Sequence, residues 1–270
     1  MPSPTADTLA EVLRPLTEDP GRAAVLVDID GTLARIVERT QDAHVPKQSS
    51  RLLAALTRRY GLVACISGRS ALDARRLVGV GGIAYAGSHG AELLEPGASR
   101  PTILPAFATW TDRVTAFTAE RDNSELRRLR VRIEDKGPIQ AFHWRGAPDE
   151  DAARTRIEGI GQEAEGEGFI IHWGRKVLEV RPPVPVDKGR AVDELLRRAP
   201  GVRAAVYAGD DATDLDAWAA LDRLLEDGRL DARVRIGVAS DEGPSQIVER
   251  ADVVVEGIPG FAEALEVLGS

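Results

Sequence analysis

The chain lacks several features that define whole classes of protein. It has one cysteine, Cys65, so no internal disulfide can form, and the apolar run GLVACI favours a buried thiol over a nucleophile or metal ligand. No run approaches the roughly 18 apolar residues that span a bilayer, and no basic stretch precedes an apolar core at the N-terminus. With 35 basic and 43 acidic residues, the net charge of -8 argues against nucleic acid and anionic membranes as partners. We therefore predict a cytoplasmic protein without nucleic-acid or membrane partners.

The length and the proline positions indicate one large domain interrupted by a smaller one. At 270 residues and 43% hydrophobic, the chain can bury a full core and is long for one compact unit. Prolines occur near positions 101–105 and 182–185, as expected for semi-rigid connections between domains. We predict a core domain made of residues 1–104 and 185–270, with residues 105–184 inserted as a second domain.

The core domain is organised around the stretch AAVLVDIDGTLA, from Ala23 to Ala34. Its apolar start indicates a buried strand, and the glycine and threonine after the acids indicate a turn. Because strand side chains alternate faces, Asp28 and Asp30 begin on the same side, about 7 Å apart in a fully extended chain. Two such anions repel each other, and Mg²⁺, which prefers hard oxygen ligands, would neutralise them. The alternative is an ordinary Asp-Gly turn after a core strand.

Helices and strands alternate through the rest of the core domain. Helical spacing of apolar residues predicts helices over about 7–16, 48–60, 71–78, 188–196, 245–250 and 261–268. Apolar runs predict further strands over about 62–66, 83–86, 204–208, 234–238 and 253–255. This alternation predicts an α/β fold, a Rossmann-like parallel sheet with helices on both faces. Ligands of such sheets bind beyond the carboxyl ends of the strands.

The inserted domain repeats one order of elements, helix, strand, strand, twice. In the first pass, a helix over about 107–117 precedes a predicted strand in which Leu129, Val131 and Ile133 alternate with charged residues, and the strand IQAFHW follows. In the second pass, a helix over about 153–164 precedes the strands FIIHW and KVLEV. The insertion is therefore predicted to be an α+β domain.

Polar and charged residues lie directly after the predicted strands or at helix starts, where a parallel sheet brings them to one edge. They are Asp28, Asp30, Ser67, Lys188, Asp210, Asp211 and Asp214. The carboxylates would form a pocket for Mg²⁺, and the metal with Lys188 and Ser67 would bind a phosphate. A lysine in the first turn of a helix faces the positive end of the helix dipole, which a bound phosphate would make favourable. Taken singly, Lys188 is typical of a solvated surface lysine, Ser67 of a helix N-cap, and GDDATD of a solvated acidic turn.

At these positions the sequence resembles the haloacid dehalogenase (HAD) superfamily of phosphotransferases, with DIDGT, Ser67, Lys188 and GDDATD as its four motifs in order. The resemblance covers the whole chain. The segments SHGAE, IEDKGPIQAFHWR and GRKVLEVRP are further similar to trehalose-6-phosphate phosphatases. The resemblance implies a HAD-type core, an inserted cap domain that sets substrate specificity, and a disaccharide phosphate as the small-molecule substrate.

The resemblance also implies a role for each candidate residue. Asp28 would attack phosphorus and form an aspartyl phosphate that water hydrolyses, with Asp30 as general acid and then general base. Ser67, Lys188 and Mg²⁺ would stabilise the transferring phosphoryl group. The implied metal ligands are Asp28, the Asp30 backbone carbonyl and Asp210, with Asp211 and Asp214 in support. The implied substrate-binding residues are Gly68, Arg69, Glu134, Lys136 and Glu179.

Three other classes of protein could use the same residues. A signalling receiver domain combines a phosphorylated Asp, a hydroxyl, a Lys and Mg²⁺, but needs neither a second acid at i+2 nor such a long insertion. A non-catalytic protein that binds a sugar phosphate would keep the pocket but need not keep both Asp28 and Asp30. A phosphatase for sucrose phosphate or mannosylglycerate phosphate fits the same core and cap. Leu215, where many trehalose-6-phosphate phosphatases carry Glu, leaves the identity of the sugar open.

Overall fold

The computed structural model describes residues 4–37, 42–240 and 243–270, and the chain forms two units. The first consists of Met1–Pro101 and Val186–Ser270, and the second consists of Thr102–Pro185. None of the helices among the described residues has the length and apolar character needed to cross a membrane.

Helices and strands alternate along most of the described chain. The helices are α1 (Ala6–Thr17), α2 (Lys47–Leu56), α3 (Ala71–Val78), α4 (Pro105–Arg121), α5 (Ser124–Arg128), α6 (Glu150–Gly166), α7 (Lys188–Arg198), α8 (Asp214–Glu226), α9 (Ser245–Arg250) and α10 (Gly257–Gly269). The strands are β1 (Ala23–Asp28), β2 (Leu62–Ile66), β3 (Ala84–Gly87), β4 (Glu92–Leu94), β5 (Thr102–Ile103), β6 (Arg132–Asp135), β7 (Gln140–His143), β8 (Ile170–Gly174), β9 (Val177–Arg181), β10 (Ala204–Gly209), β11 (Ala232–Ala239) and β12 (Val253–Glu256). Pro20–Arg22 forms a short 3-10 turn, and Ser88–Gly90 forms a turn with positive φ values.

The first unit is built on a sheet with the strand order β12-β11-β10-β1-β2-β3-β4. Neighbouring strands from β12 to β3 pair in parallel, and β4 pairs with β3 in the antiparallel direction. The short strand β5 contains the first two residues of the second unit. The predicted parallel α/β core is confirmed, because helices connect the parallel strands.

Strand β1 lies in the middle of this sheet and is buried over its whole length. Val25 and Val27 belong to one core cluster with the apolar residues of α1, α2 and α10. Cys65 of β2 is buried in the same cluster, as predicted. In the same unit, helices α7 and α8 pack against each other, and α8 contacts β10. A central parallel strand is covered on both faces, which explains why the run before Asp28 is uninterrupted by polar residues.

The register of the sheet brings three loops together. Val27 of β1 pairs with Ala208 of β10, and Asp28 pairs with Ile66 of β2. Since these strands are parallel neighbours, the residues at and after their carboxyl ends meet at one edge of the sheet. Asp28, Ser67 and Asp210 lie at those three strand ends.

The second unit contains a four-stranded sheet with the order β6-β7-β9-β8, in which every neighbouring pair is antiparallel. One face of the sheet packs on α4 and α6 through a cluster that includes Val114, Phe117, Phe142, Ile157, Ile160 and Leu178. Directly paired residues share a face, so Glu134, Ala141 and Glu179 form a row across β6, β7 and β9. By the alternation of strand side chains, this row lies on the face opposite to the apolar cluster.

The predicted strand through Leu129 and Val131 is wrong in its first half. The chain forms α5 before this point, and β6 begins only at Arg132. The side chain of Asn123 accepts two backbone N–H groups at 2.9 and 3.2 Å, which starts the helix. Arg130 has a φ of 53°, a left-handed conformation that cannot continue a strand.

Helix α2 ends at Leu56, earlier than the predicted end near residue 60. The hydroxyl of Thr57 donates to the C=O of Ala54 at 2.7 Å, and turns follow in place of a helix. Tyr60 is then buried with its hydroxyl donating to the C=O of Leu268 at 2.9 Å. A contact with the distant α10 therefore overrides the local helical pattern.

Candidate active site

Strand β1 ends at Asp28, and the chain turns sharply after it. Asp28 is buried, and the turn is closed by a 2.7 Å hydrogen bond from the N–H of Gly31 to the C=O of Ala34. Asp30 is only partly buried, and the guanidinium of Arg69 donates to both of its carboxylate oxygens, from Nε at 2.7 Å and from Nη2 at 2.6 Å. The two acids of the DIDGT motif therefore have different partners, although they are two residues apart.

The carboxylate of Asp210 lies against the turn that follows β1. Buried Thr32 donates its hydroxyl hydrogen to Oδ1 of Asp210 at 3.0 Å. A Cβ placed on Gly31 would lie 1.9 Å from Oδ2 of Asp210, so the turn tolerates only glycine there. Sequence reasoning gave neither Gly31 nor Thr32 a role at the site, although their place in the DIDGT motif was a signal.

Three buried carboxylates converge at this edge of the sheet. Among the described residues, Asp28, Asp210 and Asp214 each offer an oxygen, and these oxygens lie within 4.8 Å of one another. The sequence also placed Asp211 in the metal-binding set. Asp211 is exposed, and its carboxylate accepts a backbone N–H of its own turn at 2.6 Å. The structure thus groups three of the expected acids by their side chains and leaves Asp211 and the Asp30 carboxylate outside that group.

Lys188 is the first residue of α7 and is buried. Asp187 is the N-cap, because its carboxylate accepts the N–H of Arg190 at 2.8 Å. The Nζ atom of Lys188 donates to Oδ1 of Asp28 and to Oδ1 of Asp214, each at 2.6 Å. The simpler interpretation of Lys188 as a solvated surface lysine is therefore wrong.

Asp214 accepts four hydrogen bonds from four different groups. Oδ1 receives Lys188 Nζ and the hydroxyl of Tyr207, each at 2.6 Å. Oδ2 receives the backbone N–H groups of Asp210 and Asp211, each at 2.9 Å. Since a carboxylate has about four lone-pair sites, Asp214 is saturated and anchors the loop after β10. Sequence reasoning missed Tyr207, because nothing in an apolar strand shows where its hydroxyl points.

Burial is the largest influence on the ionisation of this cluster. It raises the pKa of Asp28, as do the charges of Asp214 and Asp210, while Lys188 opposes the shift. Burial and the charge of Asp214 also raise the pKa of Asp210 to about 7. Burial acts to lower the pKa of Lys188, but the Asp214 and Asp28 carboxylates outweigh it and raise that pKa. Because three carboxylates surround one ammonium group, a bound cation would stabilise the cluster.

The donor set of this cluster suits Mg²⁺. Carboxylate oxygens are the hard ligands that Mg²⁺ prefers, and the ion usually takes only one or two of them because it retains several waters. Asp28 and Asp210 each have a second carboxylate oxygen besides those bound to Lys188 and Thr32, whereas Asp214 is saturated. Asp28 and Asp210 are therefore the residues that fit a divalent cation best.

Ser67 directly follows β2 and is buried. Its Oγ accepts the N–H of Arg69 at 3.1 Å, which closes a tight turn. Ser70, not Ser67, is the N-cap of α3, so the simpler interpretation of Ser67 as a helix cap is wrong. The central residue of the turn, Gly68, lies against His89, because a Cβ placed on Gly68 would be 2.6 Å from Nε2 of that ring.

The three residues expected to contact a sugar lie in the second unit and are bound to other side chains. Lys136 Nζ donates to Oε1 of Glu179 at 2.8 Å, and Arg181 donates to Oε2 from Nε at 3.0 Å and from Nη2 at 2.5 Å. Oε2 of Glu134 lies 2.7 Å from Nε2 of His143. Sequence reasoning did not single out Arg181 or His143, although alternation along β9 and β7 places both on the charged face of the sheet.

These pairings keep the two glutamates ionised at neutral pH. Burial acts to raise the pKa of Glu179, but the neighbouring Lys136 and Arg181 lower it to about 2. The hydrogen bond with His143 is the main cause that lowers the pKa of Glu134. The charged face therefore presents strong hydrogen-bond acceptors next to charged donors.

The fold, a parallel sheet with acidic loops after β1 and β10, is similar to that of haloacid dehalogenase-like hydrolases. One such hydrolase from Bacteroides thetaiotaomicron superposes with a TM-score of 0.59 over 90% of this chain and 98% of its own, at 14% identity. The C-terminal domain of trehalose-6-phosphate phosphatase from C. albicans superposes with a TM-score of 0.68 over 99% of this chain and 97% of its own, at 21% identity.

The chain belongs to the trehalose-phosphatase family, whose model matches residues 26–251. It is 37% identical over 209 residues to trehalose-phosphate phosphatase of Mycobacterium avium, across 73% of this chain and 51% of that protein. It is 32% identical over 271 residues to the protein of the same name from Mycobacterium marinum, across 90% of this chain and 64% of that protein. The chain thus spans about half to two thirds of these relatives, and 15% of an uncharacterized glycosyl hydrolase of Mycobacterium tuberculosis that is 35% identical over 206 residues.

Proposed function

We propose that the chain is a Mg²⁺-dependent phosphatase that hydrolyses trehalose 6-phosphate to trehalose and phosphate. The observation that carries the proposal is the buried group of Asp28, Asp210 and Asp214 around Lys188 in a member of the trehalose-phosphatase family. The relatives named trehalose-phosphate phosphatase support the choice of substrate.

Asp28 is the proposed nucleophile. Its carboxylate attacks the phosphorus, the bond from phosphorus to the sugar oxygen breaks, and an aspartyl phosphate forms. Lys188, which donates to Oδ1 of Asp28, orients that carboxylate and, with Ser67, stabilises the charge on the transferring phosphoryl group. Asp28 and Asp210 would hold a Mg²⁺ ion, which would supply further positive charge to stabilise the transferring phosphoryl group.

Asp30 is the proposed general acid and base. It gives a proton to the leaving sugar oxygen, and it later takes a proton from the water that attacks the aspartyl phosphate and releases Asp28. The guanidinium of Arg69 donates to its carboxylate. An incoming phosphate competes for that guanidinium, so substrate binding would release Asp30 for proton transfer.

Residues 105–184 are the proposed cap domain that selects the sugar. Glu134, Lys136 and Glu179 are proposed to contact sugar hydroxyls, since ionised acceptors and donors form hydrogen bonds worth about 1.5–3 kcal/mol each. Gly68 and Arg69, in the turn after β2, are proposed to contact the phosphate. The disaccharide and the phosphate would then be recognised by different parts of the chain.

The deciding experiment measures phosphate release from a panel of sugar phosphates in Mg²⁺ and in excess EDTA. We expect trehalose 6-phosphate to be hydrolysed far faster than glucose 6-phosphate, and turnover to cease in EDTA. Asp28→Asn should fold but release no phosphate, whereas Asp193→Asn, an exposed aspartate paired with Arg223, should retain wild-type turnover.

Other outcomes would change the proposal in defined ways. Faster hydrolysis of sucrose phosphate or mannosylglycerate phosphate would replace the substrate and leave the chemistry in place. Binding of a sugar phosphate without turnover of any compound in the panel would favour a sensing role over catalysis.

A further inference from the structure

A turn after β3 is bonded to the loop that carries Ser67. This left-handed turn (Ser88–Gly90) belongs to the SHGAE segment. The N–H of Ser88 donates to the C=O of Arg69 at 2.7 Å, and the N–H of His89 donates to the C=O of Ser67 at 3.0 Å. These two hydrogen bonds fix the first and last residues of the turn after β2.

The other side of the left-handed turn packs against the start of α7. A Cβ placed on Gly90 would lie 3.0 Å from Cβ of Ala191 and 3.1 Å from the backbone oxygen of Asp187. Lys188 follows Asp187 directly in the chain. The left-handed turn therefore lies between the loop of Ser67 and the helix start that carries Lys188.

The backbone of this turn is unusual for the residues it contains. Ser88 and His89 have φ values of 51° and 54°, and Gly90 has a φ of 94°. Glycine adopts such values without strain, whereas other residues do so only where the surrounding structure enforces it. A histidine at this position thus has a cost that glycine would avoid, which indicates that its side chain is needed.

The imidazole of His89 lies where Gly68 would carry a side chain. A Cβ on Gly68 would be 2.6 Å from Nε2 and 2.7 Å from Cε1 of the ring. Buried Glu92 links the left-handed turn to the start of α3, since its Oε1 accepts the N–H of Ala71 at 2.7 Å and lies 3.4 Å from the hydroxyl oxygen of Ser88. The ring is therefore held against the centre of the Ser67 turn.

We propose that His89 is a positioning residue for Ser67: its ring against Gly68 and its N–H on the Ser67 carbonyl hold the Ser67 hydroxyl where the phosphoryl group transfers. The inference rests on the proposed phosphatase function. His89 acts through Ser67, so its loss lowers kcat while KM changes little, and it has no effect once the Ser67 hydroxyl is absent.

The test compares wild type, His89→Gly, Ser67→Ala and the double variant on one sugar phosphate. His89→Gly removes the ring and keeps a residue that tolerates the backbone, so its melting temperature should be maintained. We expect kcat to fall about 10- to 100-fold, as for a small misplacement of a catalytic group. The double variant should be no slower than Ser67→Ala. Lys176→Gly, which changes a left-handed residue with φ 62° in the second unit, should keep wild-type kcat.

Each contrary result has a separate meaning. An unchanged kcat in His89→Gly, or losses that multiply in the double variant, would overturn the inference while the phosphatase function stands. A lower melting temperature of His89→Gly, with activity restored on cooling, would assign His89 to stability and also overturn it. A wild-type protein without phosphatase activity would instead refute the proposed function. If His89→Gly does not fold, His89→Asn serves in its place, because asparagine also accepts this backbone.

Discussion

The carboxylate of Asp210 fills the space in which a side chain at Gly31 would lie, with Oδ2 only 1.9 Å from an ideal Cβ. Asp210, which directly follows β10, therefore packs against the turn that follows β1. Gly31 also has a φ of 100°, which other residues rarely adopt. Two independent reasons therefore require glycine at this position.

We expect Gly31→Ala to abolish Mg²⁺-dependent phosphate release, because the new methyl group must displace the Asp210 carboxylate. Gly79→Ala is the matched control, since Gly79 has a φ of 72° and no atom within 4 Å of its ideal Cβ. The control should lose about 1–2 kcal/mol of stability from backbone strain and keep its kcat. Steady-state kinetics and urea unfolding measure both effects. Wild-type turnover in Gly31→Ala would contradict the assignment of Asp210.

The saturated carboxylate of Asp214 predicts a graded loss of stability. Asp214→Asn removes one of the two carboxylates that pair with Lys188, and it places an amide N–H group among other hydrogen-bond donors. The free energy of unfolding should therefore fall by about 3–5 kcal/mol. Tyr207→Phe removes one hydrogen bond to the same carboxylate and should cost about 1–3 kcal/mol. Chemical denaturation measures both values. Equal stability of Asp214→Asn and wild type would show that the anchor is unnecessary.

Metal binding should be visible without any substrate. Mg²⁺ at 100 times its Kd should stabilise the folded chain by about 2.7 kcal/mol, which raises the melting temperature. Asp210→Asn should lose most of this shift. Asp231→Asn, which changes an exposed aspartate paired with Arg203, should keep it. A full shift in Asp210→Asn would exclude Asp210 as a ligand.

The charged face of the second unit predicts a loss of stability in acid. Because the pKa of Glu179 is lowered from 4.5 to about 2 in the folded chain, its contribution is complete above pH 4.5 and is lost as the pH falls toward 2. The contribution is on the order of 3 kcal/mol. Glu179→Gln should flatten the pH dependence of urea unfolding in this window. Glu158→Gln, an exposed change on α6, should leave the slope as in wild type, and an identical slope in Glu179→Gln would refute the prediction.

Much of the core fold could be predicted because its signals are local. The run before Asp28 is apolar enough to mark a buried strand, and the side chain of Asp187 marks the start of α7 by itself. The start of β6 could not be predicted in the same way. The alternation through Leu129 and Val131 fits a strand, and only the cap made by Asn123 and the left-handed Arg130 reveal the helix and turn that precede it.

The candidate site shows the same division. Asp28, Lys188 and Asp210 follow strands or begin a helix, so the topology of a parallel sheet was enough to expect them at one edge. The hydroxyl partners Thr32 and Tyr207 could not be predicted, since their roles depend on the direction of single side chains. Nor does the sequence indicate that Arg69 donates to the Asp30 carboxylate, because that contact joins separate loops.

The central place of β1 also has a consequence for how the chain folds. Thr32 and Asp210 are 178 residues apart in sequence, and Lys188 is 160 residues from Asp28. Contacts across such separations form late, because the entropy of closing a long loop must be overcome first. The sheet of the second unit, by contrast, pairs strands that all lie within Thr102–Pro185.

Refolding should therefore proceed in an order that spectroscopy can follow. Trp110, Trp144 and Trp173 lie in the second unit, whereas Trp218 is buried in the first. In a Trp218→Phe variant, the tryptophan signal should reach its final value before Mg²⁺ affinity appears, and simultaneous recovery would contradict this order. During synthesis, the whole second unit would be made and could fold before β10, the strand that brings Asp210 beside Asp28, has been synthesised.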